Sequence, residues 1–242
     1  MKNATLQTMR QLKLQGMADS YEAACQLPIN KLPDTHELIA TMTDAEQLHR
    51  SNKKMSMYLR LSKVRYPATI QDIICNEKRN LTKTQLHTLA DSAYIDRAEN
   101  ILITGATGCG KSYLACALVH QACVLGYRTL YFNLNRFIEQ LAIAKLDGSF
   151  IKWMNRLKKA KLIVLDDFGL SEMTKEVKLA LLQILEDRYG NGATVICSQL
   201  PVDKWHTWLN DPTIADAILD RLITRSNRIE LKGKSLRQKT TQ

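Results

Sequence analysis

The chain has 242 residues, of which 45% are hydrophobic and 24% are charged, and its formal net charge is +10. This length and composition allow one sizeable core with a smaller appended unit, and they exclude wholesale disorder. No stretch approaches the roughly 18 consecutive apolar residues that span a membrane, and the first residues lack the apolar core of a signal peptide. The basic balance favours a polyanionic partner such as nucleic acid, although a basic enzyme without such a partner has the same charge.

The six cysteines bear on the compartment of the protein. They form no C-x-x-C pair, which gives a zinc site little support. Buried free thiols in a reducing cytoplasm are therefore expected.

The first 66 residues show helical spacing and no strand pattern. Apolar residues recur at helical intervals, which predicts one short helix that closes near Gly16, a second over about residues 17–26 and a third over about residues 36–64. We therefore predict a small all-α N-terminal domain over residues 1–66 and a second domain over residues 67–242.

The pattern changes from Glu99 onward, where short apolar strands alternate with helices. Such alternation predicts an α/β fold with a five-stranded parallel sheet flanked by helices. Helices are expected over about residues 111–124 and 175–189. The strands are expected at residues 100–104, 128–132, 162–165, 193–197 and 228–231.

The segment between the first predicted strand and the helix after it fits the phosphate-binding pattern G-x-x-x-x-G-K-[ST]. Its glycines let backbone N–H groups approach an anion, and the helix adds its positive N-terminal end. Lys111 is expected to reach the β- and γ-phosphates of ATP, and the Ser112 hydroxyl to ligate Mg²⁺. The alternative, a glycine-rich turn with an exposed lysine, does not account for the flanking strand and helix. The predicted nucleotide-binding residues are Gly105, Ala106, Thr107, Gly108, Cys109, Gly110, Lys111, Ser112 and Tyr113.

Two further strand ends supply polar side chains for the same site. The strand over residues 162–165 is followed by Asp166 and Asp167, and a carboxylate delivered there lies beside a phosphate loop. Asp166 is expected to hold Mg²⁺ and Asp167 to polarise the attacking water, with a loop cap as the alternative for Asp167. Gln199, with Ser198 as second choice, is expected to contact the γ-phosphate, the alternative being ordinary polarity at a strand end.

With these elements in order, the chain resembles the IstB-like transposition helper ATPases. These are AAA+ partners of a DDE transposase in certain bacterial insertion sequences, and they are related to the helicase loader DnaC. The resemblance covers nearly the whole chain, and the last two of the segments below distinguish this family from other P-loop proteins. The segments that carry it are residues 12–17, the phosphate loop, Asp166–Asp167, and residues 198–201, 217–222 and 228–235.

The resemblance implies a role for Arg221. AAA+ proteins carry an arginine just after a short helix near the chain end, and this arginine reaches the γ-phosphate that the neighbouring subunit binds. Arg221 matches that position, with Arg225 as the alternative, and a cation supplied in this way offsets transition-state charge. A surface arginine paired with Asp216 or Asp220 is the structural alternative.

This sequence departs from the family pattern at two places. Family members often use a glutamate as the second acid, so the shorter Asp167 is expected to slow hydrolysis. The helical lid that usually follows the fifth strand is expected to be absent or vestigial, because few residues follow Leu231. Arg237 is expected to be a tail residue, with assistance at the phosphates as the alternative.

Two basic clusters are candidate contacts to the DNA backbone. The first lies on the predicted third helix, and the second precedes the strand over residues 162–165. Phosphate contacts position a protein without reading sequence, and no aromatic residues interleave at base-stacking spacing, so duplex DNA is expected. A solvated helix face or a partner-docking surface is the alternative. The clusters are Arg50, Lys53, Lys54, Arg60 and Lys63, and Lys152, Arg156, Lys158 and Lys159.

Together with the resemblance, these features predict a Mg²⁺-dependent ATP hydrolase that assembles on duplex DNA into an oligomer and recruits or stimulates a DDE transposase. A helicase loader of the DnaC type is the closest alternative. A small-molecule kinase would need an acceptor pocket and a lid with arginines, and the sequence indicates neither. A nucleotide-binding adaptor that never hydrolyses ATP is disfavoured by the Asp166–Asp167 pair and by Arg221.

Overall fold

The computed structural model describes residues 2–236 apart from the side chain of Ile29, so Arg237 lies outside the described residues. The chain divides into two compact units between Met57 and Tyr58. This division falls inside the third helix, whereas the sequence placed the end of the helical domain after residue 66. The functions assigned to the two parts stay predictions.

The first unit consists of helices and the turns that connect them. α1 (Lys2–Gln11) and α2 (Gln15–Cys25) precede α3 (Thr35–Ser62), which begins in this unit. Lys13 adopts a left-handed conformation with φ of 61°, and this conformation interrupts the helical backbone. The first helix therefore ends earlier than the predicted closure near Gly16.

Gly16 lies at the close approach of α2 to α3. A Cβ at this position would lie 2.3 Å from the carbonyl oxygen of Ala45, so only glycine permits this distance between the two backbones. The buried Glu46 carboxylate accepts a hydrogen bond from the N–H of Met17 at 3.2 Å. It also pairs with Nε of Arg50 at 2.7 Å, and this bond lowers the pKa of Glu46. One carboxylate thus joins the start of α2 to α3.

The second unit alternates strands and helices, and it contains all five predicted strands. The helices over residues 134–146 and 150–158 are among those that the sequence analysis did not predict, although apolar residues in the second of them recur at helical spacing. In chain order the elements are α4 (Lys83–Ala90), α5 (Ala93–Asp96), β1 (Asn100–Gly105), α6 (Lys111–Val124), β2 (Thr129–Asn133), α7 (Leu134–Leu146), α8 (Phe150–Lys158), β3 (Leu162–Phe168), α9 (Lys175–Arg188), β4 (Ala193–Ser198), α10 (Trp205–Leu209), α11 (Pro212–Ile223) and β5 (Ser226–Leu231).

The five strands form one parallel sheet in the order β2-β3-β4-β1-β5. The register pairs Ile101 of β1 with Val195 of β4 and with Asn227 of β5. Because β1 and β3 both pair with β4, their carboxyl ends lie close together at one edge of the sheet. The carboxyl edge of an open parallel sheet is the position at which α/β proteins bind ligands.

Apolar layers cover both faces of the sheet. Successive residues of β1 point to opposite faces, so Leu102 packs in one layer while Ile101 and Ile103 pack in the other. α6 belongs to the second layer, where every residue from Leu114 to Val119 is buried. This packing fixes the start of α6 at the end of the loop that follows β1.

The segment after β5 contains no α-helix within the described residues, and the absence of a full lid stays a prediction. It lies against the loop after β1, where the N–H of Leu236 donates to the carbonyl of Gly108 at 3.0 Å.

No helix within residues 2–236 combines the length and the apolar character that a membrane span needs. All six cysteines are free thiols, and four of them are buried: Cys109, Cys116, Cys123 and Cys197.

Candidate active site

The loop between β1 and α6 has the backbone geometry of an anion-binding turn. Gly108 and Gly110 have φ angles of 81° and 95°, which residues with a Cβ rarely adopt. Gly110 is the N-terminal cap of α6, so the positive end of this long helix faces the loop. The loop borders a cavity of about 460 Å³. A phosphate group suits this position, because backbone N–H groups converge on it.

The Lys111 ammonium group lies inside this loop. Its Nζ donates to the carbonyl oxygens of Gly105 at 2.8 Å and Ala106 at 2.9 Å, and the residue is only 7% exposed. Ser112 and Tyr113 follow it and line the same cavity. Gly105 and Ala106 contact the Lys111 ammonium through their carbonyls, and Cys109 is buried. The other predicted phosphate-binding residues line the opening: Thr107, Gly108, Gly110, Lys111, Ser112 and Tyr113.

Gln199 lies at the cavity, and Ser198 does not. The hydroxyl of Thr107 donates to Oε1 of Gln199 at 2.7 Å, and both residues line the cavity. Ser198 is fully buried, and its hydroxyl donates to the carbonyl of Phe168 at 2.6 Å while accepting from the N–H of Leu200 at 3.0 Å. The Ser198 hydroxyl therefore holds the turn after β4. Because it is buried and bonded to the backbone, it does not face the cavity as the predicted second-choice contact to the γ-phosphate would.

Asp166 is a fully buried carboxylate at the end of β3. The hydroxyl of Tyr131 donates to its Oδ2, and the backbone N–H of Asp167 donates to its Oδ1 at 2.9 Å. Burial, together with the negative charge of Asp166, raises the pKa of Tyr131 well above its ordinary value, so the tyrosine remains a donor. Both oxygens of the carboxylate are consequently fixed in direction.

Asp167 occupies a strained position at the cavity wall. Its φ of 58° lies in the left-handed region, and the pairing of β3 with β4 shifts register between Leu165 and Phe168. Asn133 donates from Nδ2 to its Oδ2, and Nη1 of Arg65 lies 3.8 Å from the same oxygen. Burial and the charge of Asp166 raise the pKa of Asp167, against the opposing effects of nearby cations and of the Asn133 bond.

Ser112 and Asp166 fit a magnesium ion. Both offer hard oxygen ligands, and ligating carboxylates are commonly held by such donors as the Tyr131 hydroxyl and the Asp167 N–H. Ser112 lines the cavity, whereas Asp166 is fully buried, precedes Asp167 in the chain and is not among the lining residues. Within residues 2–236, no group of three or more His, Cys, Asp or Glu side chains forms a metal site by itself. A magnesium ion at a phosphate site takes its remaining ligands from phosphate and water, and when bound it neutralises charge on the phosphates.

Arg221 lies at the amino ends of the strands, whereas the phosphate loop of its own chain lies at their carboxyl ends. Nδ2 of Asn100, the first residue of β1, donates to the Arg221 carbonyl at 2.9 Å. Because β1 has six residues, roughly 17–20 Å separates its amino end from the loop. The guanidinium pairs with Glu186 at 3.0 Å and with Asp220, and it lies over the ring of Tyr189 at 5.0 Å.

The two basic clusters differ in their local partners. In the first cluster, Arg50 is paired with Glu46 and the other members are exposed. Lys63, which the sequence placed on the third helix, follows the end of α3 at Ser62.

On α8, Lys158 lies 3.9 Å from Asp187, whereas the other basic residues of this cluster line a shallow surface depression. Arg128, which the sequence analysis did not include, lines the same depression. The members there are Arg128, Lys152, Arg156 and Lys159.

A family model described as IstB-like ATP binding protein matches residues 7–242. The chain belongs to this family. Among its relatives, the insertion sequence ATP-binding protein y4uH of Sinorhizobium fredii is 38% identical over 98% of this chain and 96% of its own length. The IS21 ATP-binding protein of Pseudomonas aeruginosa is 26% identical over 96% of this chain and 87% of its own length.

Solved structures give the fold of this IstB-like protein. DnaA from Aquifex aeolicus with bound AMPPCP has a TM-score of 0.59 at 19% identity, covering 70% of this chain and 51% of that chain. The DnaC helicase loader has a TM-score of 0.56 at 17% identity, covering 69% of this chain and 98% of that chain. The IstB-like protein is accordingly a P-loop ATPase with the AAA+ fold, and ATP is its nucleotide.

Tyr131, Asn133 and Arg65 contact the acidic pair of the IstB-like site, and none of them was predicted as a site residue from the sequence. Tyr131 and Asn133 lie on β2, which pairs with β3 and brings them to the acidic pair. A polar Asn133 at the end of an apolar strand is the signal that was available. Its meaning depends on β2 being the neighbour of β3, and the order of strands does not follow from the pattern of any one strand.

Proposed function

We propose that this IstB-like protein is an ATP-dependent regulator of DNA transposition that binds duplex DNA and recruits or stimulates a DDE transposase. Its relatives are ATP-binding proteins of insertion sequences, which supports a role in the movement of such elements. Free, largely buried thiols suit a protein of the bacterial cytoplasm.

In this proposal the site residues have separate roles. The phosphate loop and Lys111 bind the phosphates of ATP, and Ser112 and Asp166 hold Mg²⁺. Asp167 polarises the attacking water, a role that its raised pKa supports because burial makes this carboxylate a stronger base than an exposed one. Gln199 contacts the γ-phosphate, and Ser198 positions the turn behind it.

The observation that carries the proposed assembly is the distance of Arg221 from its own phosphate loop. An arginine at the opposite end of β1 cannot assist the nucleotide of its own chain. In the single chain it forms the pair with Asp220 that the structural alternative predicts, so reaching the nucleotide of a neighbouring copy requires it to leave its pairs with Asp220 and Glu186. Its ion pairs with Glu186 and Asp220, and the ring of Tyr189, hold the guanidinium at the surface in a defined direction. DNA would gather copies of the chain through the basic residues of α3 and α8, with residues 1–66 forming a domain for DNA or partner binding.

Electron microscopy of the protein with long duplex DNA tests this assembly. With a non-hydrolysable ATP analogue, ordered oligomers should form on the duplex. They should be absent without nucleotide and with the Lys111→Ala variant, which removes a phosphate-binding cation. Isolated monomers under all three conditions would contradict the proposal.

A capture experiment tests the partner. The immobilised protein with bound ATP analogue and DNA is offered two purified proteins, a DDE transposase of an insertion sequence of this family and a replicative helicase. Capture of the transposase alone supports the proposal. Capture of the helicase alone would indicate a helicase loader of the DnaC type.

A further inference from the structure

Arg79 is a buried arginine that contacts the phosphate loop and belongs to none of the motifs discussed above. It is 9% exposed. Its Nη2 donates to the carbonyl oxygen of Cys109 at 2.7 Å, and its Nη1 donates to the carbonyl oxygen of Ile74 at 2.9 Å. Among the described residues, no carboxylate forms an ion pair with it. The guanidinium group is therefore committed to backbone oxygens, one of which lies in the loop itself.

The backbone of Arg79 is anchored to the sheet. Oδ1 of Asn76 accepts from the Arg79 N–H at 2.9 Å and closes the short 3₁₀ turn that ends at Arg79. The Arg79 carbonyl accepts from the N–H of Lys232 at 3.1 Å. The next residue, Asn80, donates from Nδ2 to the carbonyl of Glu230 at 2.9 Å. Arg79 is thus fixed to the end of β5 and holds the phosphate loop from that position.

The bond to Cys109 determines the direction of one N–H group of the loop. The Cys109 carbonyl and the Gly110 N–H belong to the same planar trans peptide, so they point in opposite directions. Fixing the oxygen therefore fixes the N–H. The fit is close, because a Cβ at Gly110 would lie 2.8 Å from Nη2 of Arg79. The second carbonyl contact, to Ile74, prevents the guanidinium from rotating away.

We propose that Arg79 is a positioning residue for ATP binding. It holds the Cys109–Gly110 peptide so that the Gly110 N–H is already directed at the phosphates before the nucleotide binds. A preorganised donor avoids the cost of ordering the loop during binding. A lysine cannot replace it fully, because only a guanidinium fork donates to two carbonyls in a fixed plane. The proposal rests on the ATP-binding assignment and is independent of the role in transposition.

The test measures ADP affinity by calorimetry in Arg79→Met, in Arg79→Lys and in a matched control, Arg188→Lys. Arg188 is also a buried arginine that donates to backbone carbonyls, including that of Leu157, but it contacts no residue of the phosphate loop. Arg79→Met should weaken ADP binding about tenfold, since a charge-assisted bond that orders the loop is lost. Arg79→Lys should lose less. Arg188→Lys should bind ADP as the wild type does even if its melting temperature falls.

A second measurement separates positioning from a general loss of stability. The amide proton of Gly110 should change its NMR chemical shift when ADP binds to the wild type, and this change should be smaller in both Arg79 variants. Wild-type ADP affinity in the Arg79 variants, or an equal loss in Arg188→Lys, would overturn the proposal. If Arg79→Met does not fold, Arg79→Lys against Arg188→Lys decides the matter. Failure of the wild type to bind ADP would instead reject the nucleotide assignment.

Discussion

At the scale of single residues, the acidic pair at the end of β3 shows how adjacent carboxylates acquire different surroundings. Asp166 is fully buried with donors on both oxygens. Asp167 turns into the cavity wall through a left-handed backbone conformation and keeps 21% of its side chain exposed. The first surroundings suit a fixed metal ligand, and the second suit a group that exchanges a proton with water.

Tyr131→Phe tests the fixed ligand. The variant removes the hydroxyl that orients Asp166, so the Mg²⁺ concentration required for half-maximal ATP hydrolysis should rise at least about tenfold. Phosphate release during a magnesium titration measures this. The control is Tyr127→Phe, which loses a similar bond to Asp96 of 2.6 Å at the surface. An identical magnesium requirement in the two variants would remove Tyr131 from the site.

Arg65→Met tests the proton acceptor. The positive charge of Arg65 lowers the pKa of Asp167, so its removal should raise that pKa further. Because the acceptor must be ionised, the acid limb of the pH–rate profile of ATP hydrolysis should move to higher pH. Arg97→Met, which breaks the pair with Glu99 at 2.9 Å away from the site, should leave the profile unchanged. A shift to lower pH, or none, would contradict the assignment of Asp167.

At the scale of elements, α8 has an apolar and a basic side. Trp153, Met154 and Leu157 are buried in the core, whereas Lys152 and the residue that follows the helix, Lys159, are exposed. The arrangement follows from the helical repeat, which places residues three and four apart on one side. A helix of this kind can offer cations to DNA without weakening its attachment to the sheet.

Two sets of substitutions distinguish the basic surfaces of α3 and α8. DNA affinity should fall steeply with salt, because counterions are released from the phosphates. Replacing Lys53, Lys54 and Arg60 by Ala should reduce the slope of log affinity against log salt by about 2–3 if all three contact phosphates. Replacing Lys152, Arg156 and Lys159 tests the surface of α8 in the same way.

The control for total charge is a triple Ala variant of exposed lysines on other elements. Its salt slope should equal that of the wild type. If only the α8 variant changes the slope, the DNA site lies on the α8 surface and the α3 prediction is wrong. If neither changes it, both surfaces are excluded. The control residues are Lys83, Lys175 and Lys204.

At the scale of the whole molecule, the nucleotide site and its candidate trans arginine lie at opposite ends of the strands of one sheet. The phosphate loop follows the carboxyl end of β1, and Arg221 is attached to the amino end of the same strand through Asn100. If Arg221 acts in trans as proposed, a chain completes its site only next to another copy. The rate of ATP hydrolysis would then depend on assembly, and this dependence suits a protein that acts after several copies have bound to DNA.

Mixing two inactive variants tests this arrangement. Arg221→Ala should bind ATP nearly as the wild type does but should lose turnover, by up to about a thousandfold, because the transition-state charge is no longer offset. Mixed with Lys111→Ala, it should recover part of the activity, since one partner supplies an intact pocket and the other an intact arginine. Phosphate release in the mixture measures the recovery.

The same experiment with Arg225→Ala examines the alternative arginine. Recovery with Arg225→Ala and normal turnover in Arg221→Ala would reassign the role. Specific activity that is constant on dilution, with no recovery in either mixture, would show that no arginine acts between subunits.

Local sequence was sufficient for the elements whose signals are short in range. The pattern from Gly105 to Ser112 specifies a phosphate loop because glycines and a following helix determine backbone geometry within a few residues. The five strands were predicted because an apolar run bounded by turns indicates a buried parallel strand. The family relationship followed from ordered motifs along the chain, and the comparison with known proteins confirms it.

Tertiary structure alone decided which distant residues meet. The strand order brings Tyr131 and Asn133 to the acidic pair, and a register shift in β3 turns Asp167 toward the cavity. Packing against β5 brings Arg79 to the loop, thirty residues along the chain from its Cys109 partner. These contacts depend on the pairing of residues that are far apart in the sequence, and the local spacing of apolar residues gives no information about such pairing. For the same reason Arg221 could be selected from the sequence as a candidate, but its distance from the phosphate loop of its own chain became measurable only in the folded structure.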